Sequence, residues 1–304
     1  MVRVFAYVVT SYANPDQTAR LIRRLRRDSP SSRLVVSHDR KTPPPSAEDL
    51  EETRAELWLT PEPVTWGDAT YLRSILAAIR RLDLRPEDWV TIITGQDYPL
   101  RPLGDFETHL ASCGADMALE ETEDDPHVSA LLERYVTRAY PLPHWVGRHR
   151  VRQIVKHTPG IALSHEPRGL PPHLLVRRVR TPFSGSFRLY KGCDLFALSG
   201  RASERLLGAP PGLLRYFAGT RVPSEAYVHT VLRNDQALRN DPGMLHYARW
   251  EASPHPSWLS TGDLDVMLAS GKWFARKFRQ DDTVLDLLDK RLDRLSSRSP
   301  IRDS

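Results

Sequence analysis

The chain has 304 residues, 40% of them hydrophobic and 27% charged, which is the composition of a water-soluble globular protein. No apolar run approaches about 18 residues, so no membrane span is predicted, and two cysteines are too few for a disulfide framework. A reducing, cytoplasmic location is therefore expected. The net charge of +5 suits an anionic ligand without selecting among diphosphates, nucleic acid and lipid.

The first third of the chain alternates between short apolar runs and segments whose apolar residues have helical spacing. The predicted elements are strands at residues 3–10, 33–37, 55–59 and 88–94, and helices from Asn14 and from Asp68 to Leu82. This alternation is typical of an α/β fold, with a mostly parallel sheet and helices on both faces. Ligands of such sheets bind beyond the carboxyl ends of the strands, where two polar segments would lie, residues 38–39 and 95–97.

Two basic regions stand out along the chain. The first is a stripe on the first predicted helix, formed by Arg20, Arg23, Arg24, Arg26 and Arg27. It could bind phosphates, but a charged stripe is more often a solvated helix face, and that interpretation is favoured. The second, residues 144–180, has eight Arg or Lys and five His against one acidic residue. We expect it to form an extended, partly mobile excursion over the sheet.

The remainder of the chain predicts a pair of strands followed by helices. The strands are expected at residues 187–190 and 195–198, on either side of Gly192, and the helices at about 200–208, 223–233, 263–270 and 282–294. The end of the chain, residues 295–304, is rich in Ser and Arg and is predicted to be a disordered tail.

Several familiar motifs are absent from the sequence: a glycine-rich dinucleotide loop, a phosphate loop ending in Gly-Lys-Ser/Thr, a Gly-x-Ser-x-Gly elbow and a His-Glu-x-x-His zinc motif. The acidic run at 120–125 offers oxygen ligands, but such a run is more often a solvated loop than a cation site. Cys113 and Cys193 have no zinc-like spacing and are expected to be buried apolar side chains. No metal is predicted.

Two segments near the end of the chain place charged residues in unusual positions. Ser224 is a suitable N-cap, so Glu225 falls in the first turn of a predicted helix. The helix dipole stabilises an acid there without any function, which is the simpler interpretation, but the same position would hold a general base rigidly. Arg276 and Lys277 stand between two phenylalanines. Two adjacent cations suit a diphosphate, and a lysine lying along an apolar patch is the alternative.

Seven segments, taken together and in order, resemble the core-2/I-branching beta-1,6-N-acetylglucosaminyltransferase family, which includes the peptide O-xylosyltransferases. The segments are AYVVT (6–10), HDRK (38–41), VTWG (64–67), TGQDYPL (94–100), KGCDLFALS (191–199), VPSEAYVHT (222–230) and SGKWFARKF (270–278). The resemblance runs from Ala6 to about Asp289 and so covers nearly the whole chain. Each segment is weak alone, and their shared order makes the resemblance specific.

The resemblance implies a Rossmann-like nucleotide-sugar transferase fold of the GT-A type, inversion at the anomeric carbon, and catalysis with neither metal nor cofactor. It also implies one domain, residues 1–294, with a nucleotide-binding half at 1–125 and an acceptor-binding and catalytic half at 126–294. Glu225 matches the catalytic base of the family. Lys277 matches the lysine that stabilises the departing diphosphate.

The same resemblance assigns further residues to the two substrates. The donor-binding residues are Thr10, Asp39, Gly95, Gln96, Asp97, Arg249, His255 and Arg276, and the acceptor-binding residues are Trp66, Asp194 and Tyr227. The predicted activity is transfer of N-acetylglucosamine or xylose from a UDP-sugar to a hydroxyl of a glycan or glycoside, with no nucleic-acid partner. The alternative is a non-catalytic binding module for nucleic acid or an anionic polymer, which would use the two basic regions.

Overall fold

The computed structural model describes residues 3–120, 132–143, 155, 157–164, 172–243, 245–251, 255–280 and 283–297. The strands in these residues are β1 Phe5–Ser11, β2 Arg33–His38, β3 Glu56–Leu59, β4 Trp89–Thr94, β5 Asp97–Pro99, β6 Met117–Ala118, β7 Thr137–Pro141, β8 Ile161–Leu163, β9 His173–Arg177, β10 Phe196–Ser199, β11 His246–Ala248 and β12 Phe274–Arg276. The α-helices are α1 Pro15–Asp28, α2 Ala47–Thr53, α3 Ala69–Leu82, α4 Leu103–Ser112, α5 Gly200–Leu207, α6 Pro211–Ala218, α7 Ser224–Arg233, α8 Leu264–Ala269 and α9 Thr283–Ser296.

A six-stranded sheet with the order β3-β2-β1-β4-β10-β6 forms the centre of the molecule. Its first four strands are mutually parallel, and β10 pairs antiparallel with both β4 and β6. Because the chain passes from β1 outward to β3 and then returns to place β4 on the other side of β1, the strand order reverses between β1 and β4. Such a reversal opens a crevice at the carboxyl ends of the strands, where ligands bind in sheets of this kind.

Side chains that alternate along the central strands build a core on each face of the sheet. Ala6 and Val8 of β1 contribute to one hydrophobic cluster, together with α3, α5 and α7. Tyr7 and Val9 contribute to the other, together with α1, α4 and α9. All four side chains are at most 1% exposed. The prediction of a mostly parallel sheet with helices on both faces is therefore confirmed.

The predicted strand at 187–190 is wrong, although its partner is confirmed as β10. The backbone of this segment is hydrogen-bonded to side chains of α7 and of Asn234, the residue that caps the C-terminus of that helix. Asn234 accepts from the Arg188 N–H through Oδ1 at 2.8 Å, and Thr230 Oγ1 accepts from the Tyr190 N–H at 3.1 Å. Both side chains also donate back to carbonyls of the segment. Side chains therefore supply the hydrogen bonds that a neighbouring strand would otherwise supply.

Much of the basic region at 144–180 lies outside the described residues. Its described parts contain β8 and β9, which form a three-stranded antiparallel sheet with β7 in the order β7-β9-β8. The expectation was an extended, partly mobile excursion, and the two strands in these parts were not predicted. Side chains of the three strands are half-buried or exposed, so the apolar signal that identifies a core strand is weak here.

The arginine stripe of α1 forms an ion-pair network, so its interpretation as a solvated face is wrong in part. Arg24 is 3% exposed and contacts Asp28 on the same helix and Asp293 on α9, the latter at 2.6 Å. Arg20 lies 2.7 Å from both Asp286 and Asp289 of α9. Arg20, Arg24 and Arg27 therefore hold the last helix against the first, whereas Arg26 donates to backbone carbonyls.

A small second sheet, in the order β11-β12-β5, lies beside the central one. Strand β12 runs parallel to β11 and antiparallel to β5, and its register sets Arg276 directly opposite Asp97. Because β12 comes late in the sequence, this sheet places the C-terminal part of the chain next to the loop after β4. In the described part of the chain, no helix is long and apolar enough to cross a membrane.

Candidate active site

A cleft of about 600 Å³ opens at the carboxyl edge of the central sheet, beside the reversal between β1 and β4. Its walls come from the ends of β1, β2 and β4, the start of α3, the loop before α7, and β12 with the residue after it. The predicted site residues among those lining it are Thr10, Asp39, Trp66, Gly95, Gln96, Asp194, His255, Arg276 and Lys277. Residues from positions 10 to 277 thus meet in one crevice.

The floor of the cleft is built by close contact between the ends of β1 and β4. The Gly95 N–H donates to the Thr10 carbonyl at 2.9 Å, and Thr10 Oγ1 lies 3.2 Å from the hydroxyl of Tyr71. A Cβ added at Gly95 would lie 2.4 Å from Thr18 Oγ1 on α1. The glycine therefore lets the end of β4 pack closely against α1, and its backbone lines the cleft.

Asp39 follows β2 and anchors one wall of the cleft. Its Oδ1 accepts from the backbone N–H groups of Lys41 and Val64, both at 3.2 Å, and its Oδ2 lies 3.5 Å from Lys41 Nζ. Residue Asp39 is 4% exposed, so most of its surface is used by these contacts. The carboxylate fixes the loop that ends at Trp66, whose ring is 41% exposed at the cleft mouth.

Asp97, predicted as a donor contact, is fully buried and is not among the described residues that line the cleft. One of its oxygens accepts from the Thr94 N–H at 2.7 Å. The other lies 3.5 Å from Arg276 Nε. Burial alone would raise the pKa of Asp97, but the Arg276 guanidinium and His246 outweigh it, and the pKa is lowered. The Asp97 carboxylate therefore influences the cleft indirectly, by pairing with Arg276 in the cleft wall.

Arg276 and Lys277 make one end of the cleft electropositive. Burial disfavours the charge on Arg276, but Asp97 more than compensates and raises its pKa. Lys277 Nζ lies 4.4 Å from the ring centroid of Trp258, and its pKa is lowered by burial and by the charges of Arg276 and Arg279. Two crowded cations with lowered solvation are arranged to gain energy from an anionic ligand.

His255 completes this end of the cleft. Its ring stands edge-on to Trp66, with centroids 6.1 Å apart. Burial lowers the pKa of His255, and the charges of Lys277 and Arg276 lower it further. The imidazole is thus disposed to be neutral, so it can donate one hydrogen bond and accept another.

The part of the cleft next to α7, here called the acid end, carries the carboxylate of Asp194, which is within electrostatic reach of Arg276. Asp194 lines the cleft, and its Oδ1 is buried without a hydrogen-bond partner among the described residues. Burial and the nearby charge of Glu225 raise the pKa of Asp194 to about 7. The side chain of Glu225 is 28% exposed and lies 3.2 Å from Lys191 Nζ and 3.9 Å from Arg134 Nη1. Two acids, one of them incompletely satisfied, therefore lie side by side.

Ser224, predicted as the N-cap of this helix, does not cap it. Pro223 occupies the N-cap position with φ −64° and ψ −23°, and α7 begins at Ser224 without a side-chain cap. Because Pro223 already has a helical conformation, the helix begins one residue earlier than predicted. The Ser224 hydroxyl is left to bond to Asp194, and Ser224 lines the cleft next to Glu225. Glu225 itself is not among the described lining residues.

Two further predicted residues are not brought to the cleft wall. Tyr227 is 2% exposed and lies in the core, with its ring edge-on to Phe217 at 5.7 Å, so contact with an acceptor sugar is not supported. Arg249 forms an ion pair with Asp263 and lies 3.3 Å from Glu251. Its charge is balanced locally, and it is not among the described residues lining the cleft.

Tyr71 and Lys191 are site residues that sequence reasoning did not assign. Tyr71 lies on α3, lines the cleft and contacts Thr10. Lys191 precedes Gly192, where an added Cβ would lie 2.1 Å from the ring of His229. That close approach holds the segment against α7 and brings Lys191 to Glu225. The sequence contains a signal for this position that was not used, because a lysine next to a glycine in segment 191–199 indicates a special backbone position.

Comparison with known proteins gives three relatives, all from Arabidopsis thaliana. Beta-glucuronosyltransferase GlcAT14A is 26% identical over 97% of this chain and 65% of its own length. Beta-glucuronosyltransferases GlcAT14B and GlcAT14C are 28% and 27% identical over 64% and 74% of this chain. The similarity is to glycosyltransferases. The chain spans 45% to 65% of the length of these relatives, and no protein-family model matches it.

Proposed function

We propose that this protein is an inverting glycosyltransferase that moves a sugar from a UDP-sugar to a hydroxyl of a glycan or glycoside. The observation that carries the proposal is the cleft at the strand reversal, which is lined by the cations Arg276 and Lys277 and by Asp194, with Glu225 next to Asp194. The glycosyltransferase relatives support it over nearly the whole chain. The fold is proposed to be of the GT-A type, which the mostly parallel sheet with its ligand crevice supports.

The donor is proposed to lie across the reversal between β1 and β4. The uridine and ribose are assigned to the floor near Thr10 and Gly95 and to the wall at Asp39, where backbone and carboxylate oxygens can accept from hydroxyls. The diphosphate is assigned to Arg276 and Lys277. A guanidinium can bind two phosphate oxygens at once, whereas a lysine supplies a compact point charge.

In the proposed reaction, Glu225 removes the proton of the acceptor hydroxyl as that oxygen bonds to the anomeric carbon. The bond between this carbon and the donor diphosphate oxygen breaks in the same displacement, so the configuration inverts. The electron pair of that bond leaves with the diphosphate, where Arg276 and Lys277 meet the new charge. Lys191 and Arg134 pair with the Glu225 carboxylate and hold it in position. General-base catalysis of this kind contributes about 10²–10⁴-fold.

Metal independence is part of the proposal. Fixed cations in a partly desolvated cleft do for the leaving diphosphate what a bound cation does in other transferases. In the described part of the chain, the group of three metal-type ligands that converge lies outside the cleft, at His109, Cys113 and Asp241. Turnover is therefore expected to persist in EDTA when it is assayed well below the melting temperature of the protein. A requirement for an added divalent cation would contradict this mechanism.

Three donor sugars follow from the two lines of resemblance. The seven sequence segments favour N-acetylglucosamine or xylose, and the names of the plant relatives add glucuronic acid. A thermal-shift screen against the three UDP-sugars separates them, because a ligand at 100 times its dissociation constant stabilises by about 2.7 kcal/mol. Stabilisation by one UDP-sugar beyond that given by UDP alone identifies the sugar.

The decisive experiment replaces the proposed base by its neutral isostere, Glu225→Gln. We expect the turnover number to fall about 10²–10⁴-fold while UDP still binds, because the base acts on the acceptor and not on the nucleotide. Glu204→Gln, on the exposed surface of α5, is the matched control and should keep wild-type turnover. Turnover of Glu225→Gln close to that of wild type would remove Glu225 from its proposed role.

The alternative, a non-catalytic module for anionic polymers, has less support. It would use the α1 stripe together with residues 144–180. Of the five arginines of the stripe, Arg20, Arg24 and Arg27 pair with acids of α9, and Arg23 pairs with acids of α2. A steep salt dependence of binding across unrelated polyanions would revive it.

A further inference from the structure

A second group of chemically active side chains lies away from the cleft, at the end of α4. His109 and Cys113 are four residues apart, and the Cys113 N–H donates to the His109 carbonyl at 2.8 Å, so the two side chains share one helix face. Asp241 approaches from elsewhere in the chain, with Oδ2 2.7 Å from His109 Nε2. One ligand atom from each residue lies within 4.8 Å of the other two.

Asp241 is held independently of the helix. Its backbone N–H donates to the Met117 carbonyl at 2.8 Å, and the preceding residue, Asn240, bridges to Met117 at the edge of the central sheet. The group therefore joins two separately anchored elements. Ligands that converge from distant parts of a chain are fixed in position by the fold, which favours a specific cation site over a flexible acidic loop.

The three side chains are accessible and are not used by the proposed reaction. Each is half-buried, and Cys113, expected to be buried, is a free thiol whose Sγ has a single weak contact with the Leu110 carbonyl at 3.6 Å. His109 and Asp241 line a separate cavity of about 490 Å³. The ring of Trp273 packs against His109, with centroids 5.6 Å apart, and limits its rotation.

We propose that His109, Cys113 and Asp241 bind a zinc ion, with water from the cavity as the fourth ligand. Imidazole, thiolate and carboxylate are the ligands that zinc takes in tetrahedral sites, at about 2.0–2.3 Å. Ligand atoms around such an ion are separated by about 3.3–3.8 Å. The Cys113 Sγ must therefore approach by up to about 1 Å, and His109 Nε2 and Asp241 Oδ2, now 2.7 Å apart, must separate by roughly 0.6 Å. On binding, the Cys113 thiol loses its proton, and the bond between His109 and Asp241 is replaced by two bonds to the ion.

The charges at the site suit a divalent cation. One thiolate and one carboxylate neutralise zinc completely, and Asp105 lines the same cavity. Arg101 and Lys272 also line it and oppose a cation, and the Arg101 guanidinium stacks on Trp273, 3.6 Å from the ring centroid. The expected role is structural, because the ion would clip α4 to the edge of the central sheet.

Cobalt substitution tests the site directly, because a cobalt–thiolate bond gives a strong near-ultraviolet absorption band that oxygen and nitrogen ligands do not give. Full-length protein is stripped with chelator, desalted and titrated with Co²⁺. We expect a band that saturates at one ion per chain and disappears when Zn²⁺ is added. The chain has two cysteines, so Cys113→Ser should abolish the band and the matched control Cys193→Ser should retain it.

The other ligands are tested by affinity. His109→Gln and Asp241→Asn should each weaken zinc binding by more than about tenfold, and zinc should raise the melting temperature of wild type but not of Cys113→Ser. Circular dichroism checks that each variant is folded. A folded wild-type protein that binds no stoichiometric Co²⁺, or a band that survives Cys113→Ser, would overturn the proposal. Neither result bears on glycosyl transfer, which the Glu225→Gln experiment tests separately.

Discussion

The two ends of the cleft hold their charges in opposite ways. At the cation end, Arg276 has its counter-charge behind it, since Asp97 is fully buried and fixed by the Thr94 N–H. At the acid end, one oxygen of Asp194 has no hydrogen-bond partner among the described residues, and the charge of Glu225 opposes its ionisation. The cation end thus has an opposite charge behind it and the acid end a like charge beside it. Each end keeps one buried polar atom, Arg276 Nε or Asp194 Oδ1, that has no hydrogen-bond partner among the described residues.

This difference matches the two halves of the proposed reaction. Negative charge develops on the diphosphate, and cations fixed in advance stabilise it without reorganisation in the transition state. The acid end instead receives the acceptor sugar, of which one hydroxyl can donate to the unsatisfied oxygen of Asp194 while the reacting hydroxyl loses its proton to Glu225. A buried acceptor without a partner costs free energy, and a substrate that satisfies it recovers that cost on binding.

The largest effect that would sharpen this comparison is expected from Lys277→Met. Methionine keeps the aliphatic contact with Trp258 and removes the charge that would meet the departing diphosphate. We expect the turnover number to fall about 10²–10³-fold, the usual cost of removing one preorganised group that stabilises developing charge. UDP binding should weaken less, since Arg276 remains. Steady-state kinetics and UDP titration measure the two quantities.

Lys290→Met, on the exposed side of α9, is the control for loss of one positive charge and should leave both quantities unchanged. A loss of UDP affinity with an unchanged turnover number in Lys277→Met would mean that Lys277 binds ground and transition states alike. The cation end would then be a binding site only, and the proposed difference between the two ends would fail.

Asp97→Asn tests whether the buried Asp97 carboxylate holds Arg276 in position at the cation end. Asparagine keeps the size of the side chain but leaves the Arg276 guanidinium without its buried counter-charge. We expect the free energy of unfolding to fall by about 2–3 kcal/mol, together with a roughly tenfold higher Michaelis constant for the donor. Chemical denaturation and donor-dependent kinetics measure these effects.

Asp88→Asn is the matched control, because Asp88 is also a buried acid paired with an arginine, Arg85, at 2.8 Å, but outside the cleft. It should lower stability and leave the Michaelis constant for the donor unchanged. A similar rise in that constant for both variants would show that general loss of stability, and not the position of Arg276, weakens donor binding.

Most of the central fold could be predicted from the sequence because its signals are local. The uninterrupted apolar run of β1 reflects a strand buried on both faces, and Asp68 caps α3 by accepting from the Thr70 N–H. Helices α2, α4 and α6 were not predicted. Each is ten residues or shorter, and tertiary contacts rather than periodicity decide whether segments of that length are helical.

The site was harder to predict, because side-chain direction depends on pairing between distant strands. Asp39 and Asp97 both follow a strand at the same sheet edge, and only the register of β12 against β5 shows that Asp97 faces Arg276. That Tyr227 does not face the cleft was predictable in principle. It lies two residues after Glu225 on α7, about 200° around the helix, so the two side chains could not face one ligand.

The smallest effect is expected from Asp194→Asn, which sharpens the description of the acid end through the pH dependence of stability. The pKa of Asp194 is raised to about 7 by burial and by Glu225, against about 3.9 in an unfolded chain. The folded protein therefore keeps a proton that the unfolded chain releases, and wild-type stability falls as pH rises from about 4 through 7. Asparagine does not ionise, so the stability advantage of the variant over wild type should grow by about 2 kcal/mol from pH 5 to pH 8.

The same substitution in a Glu225→Gln background separates the two causes of the raised pKa. If the charge of Glu225 contributes, its removal lowers the pKa of Asp194, and the gain from Asp194→Asn between pH 5 and pH 8 becomes smaller. An undiminished gain would assign the shift to burial alone. The two carboxylates would then be independent, and a hydroxyl bound at Asp194 would have no electrostatic link to the proposed base.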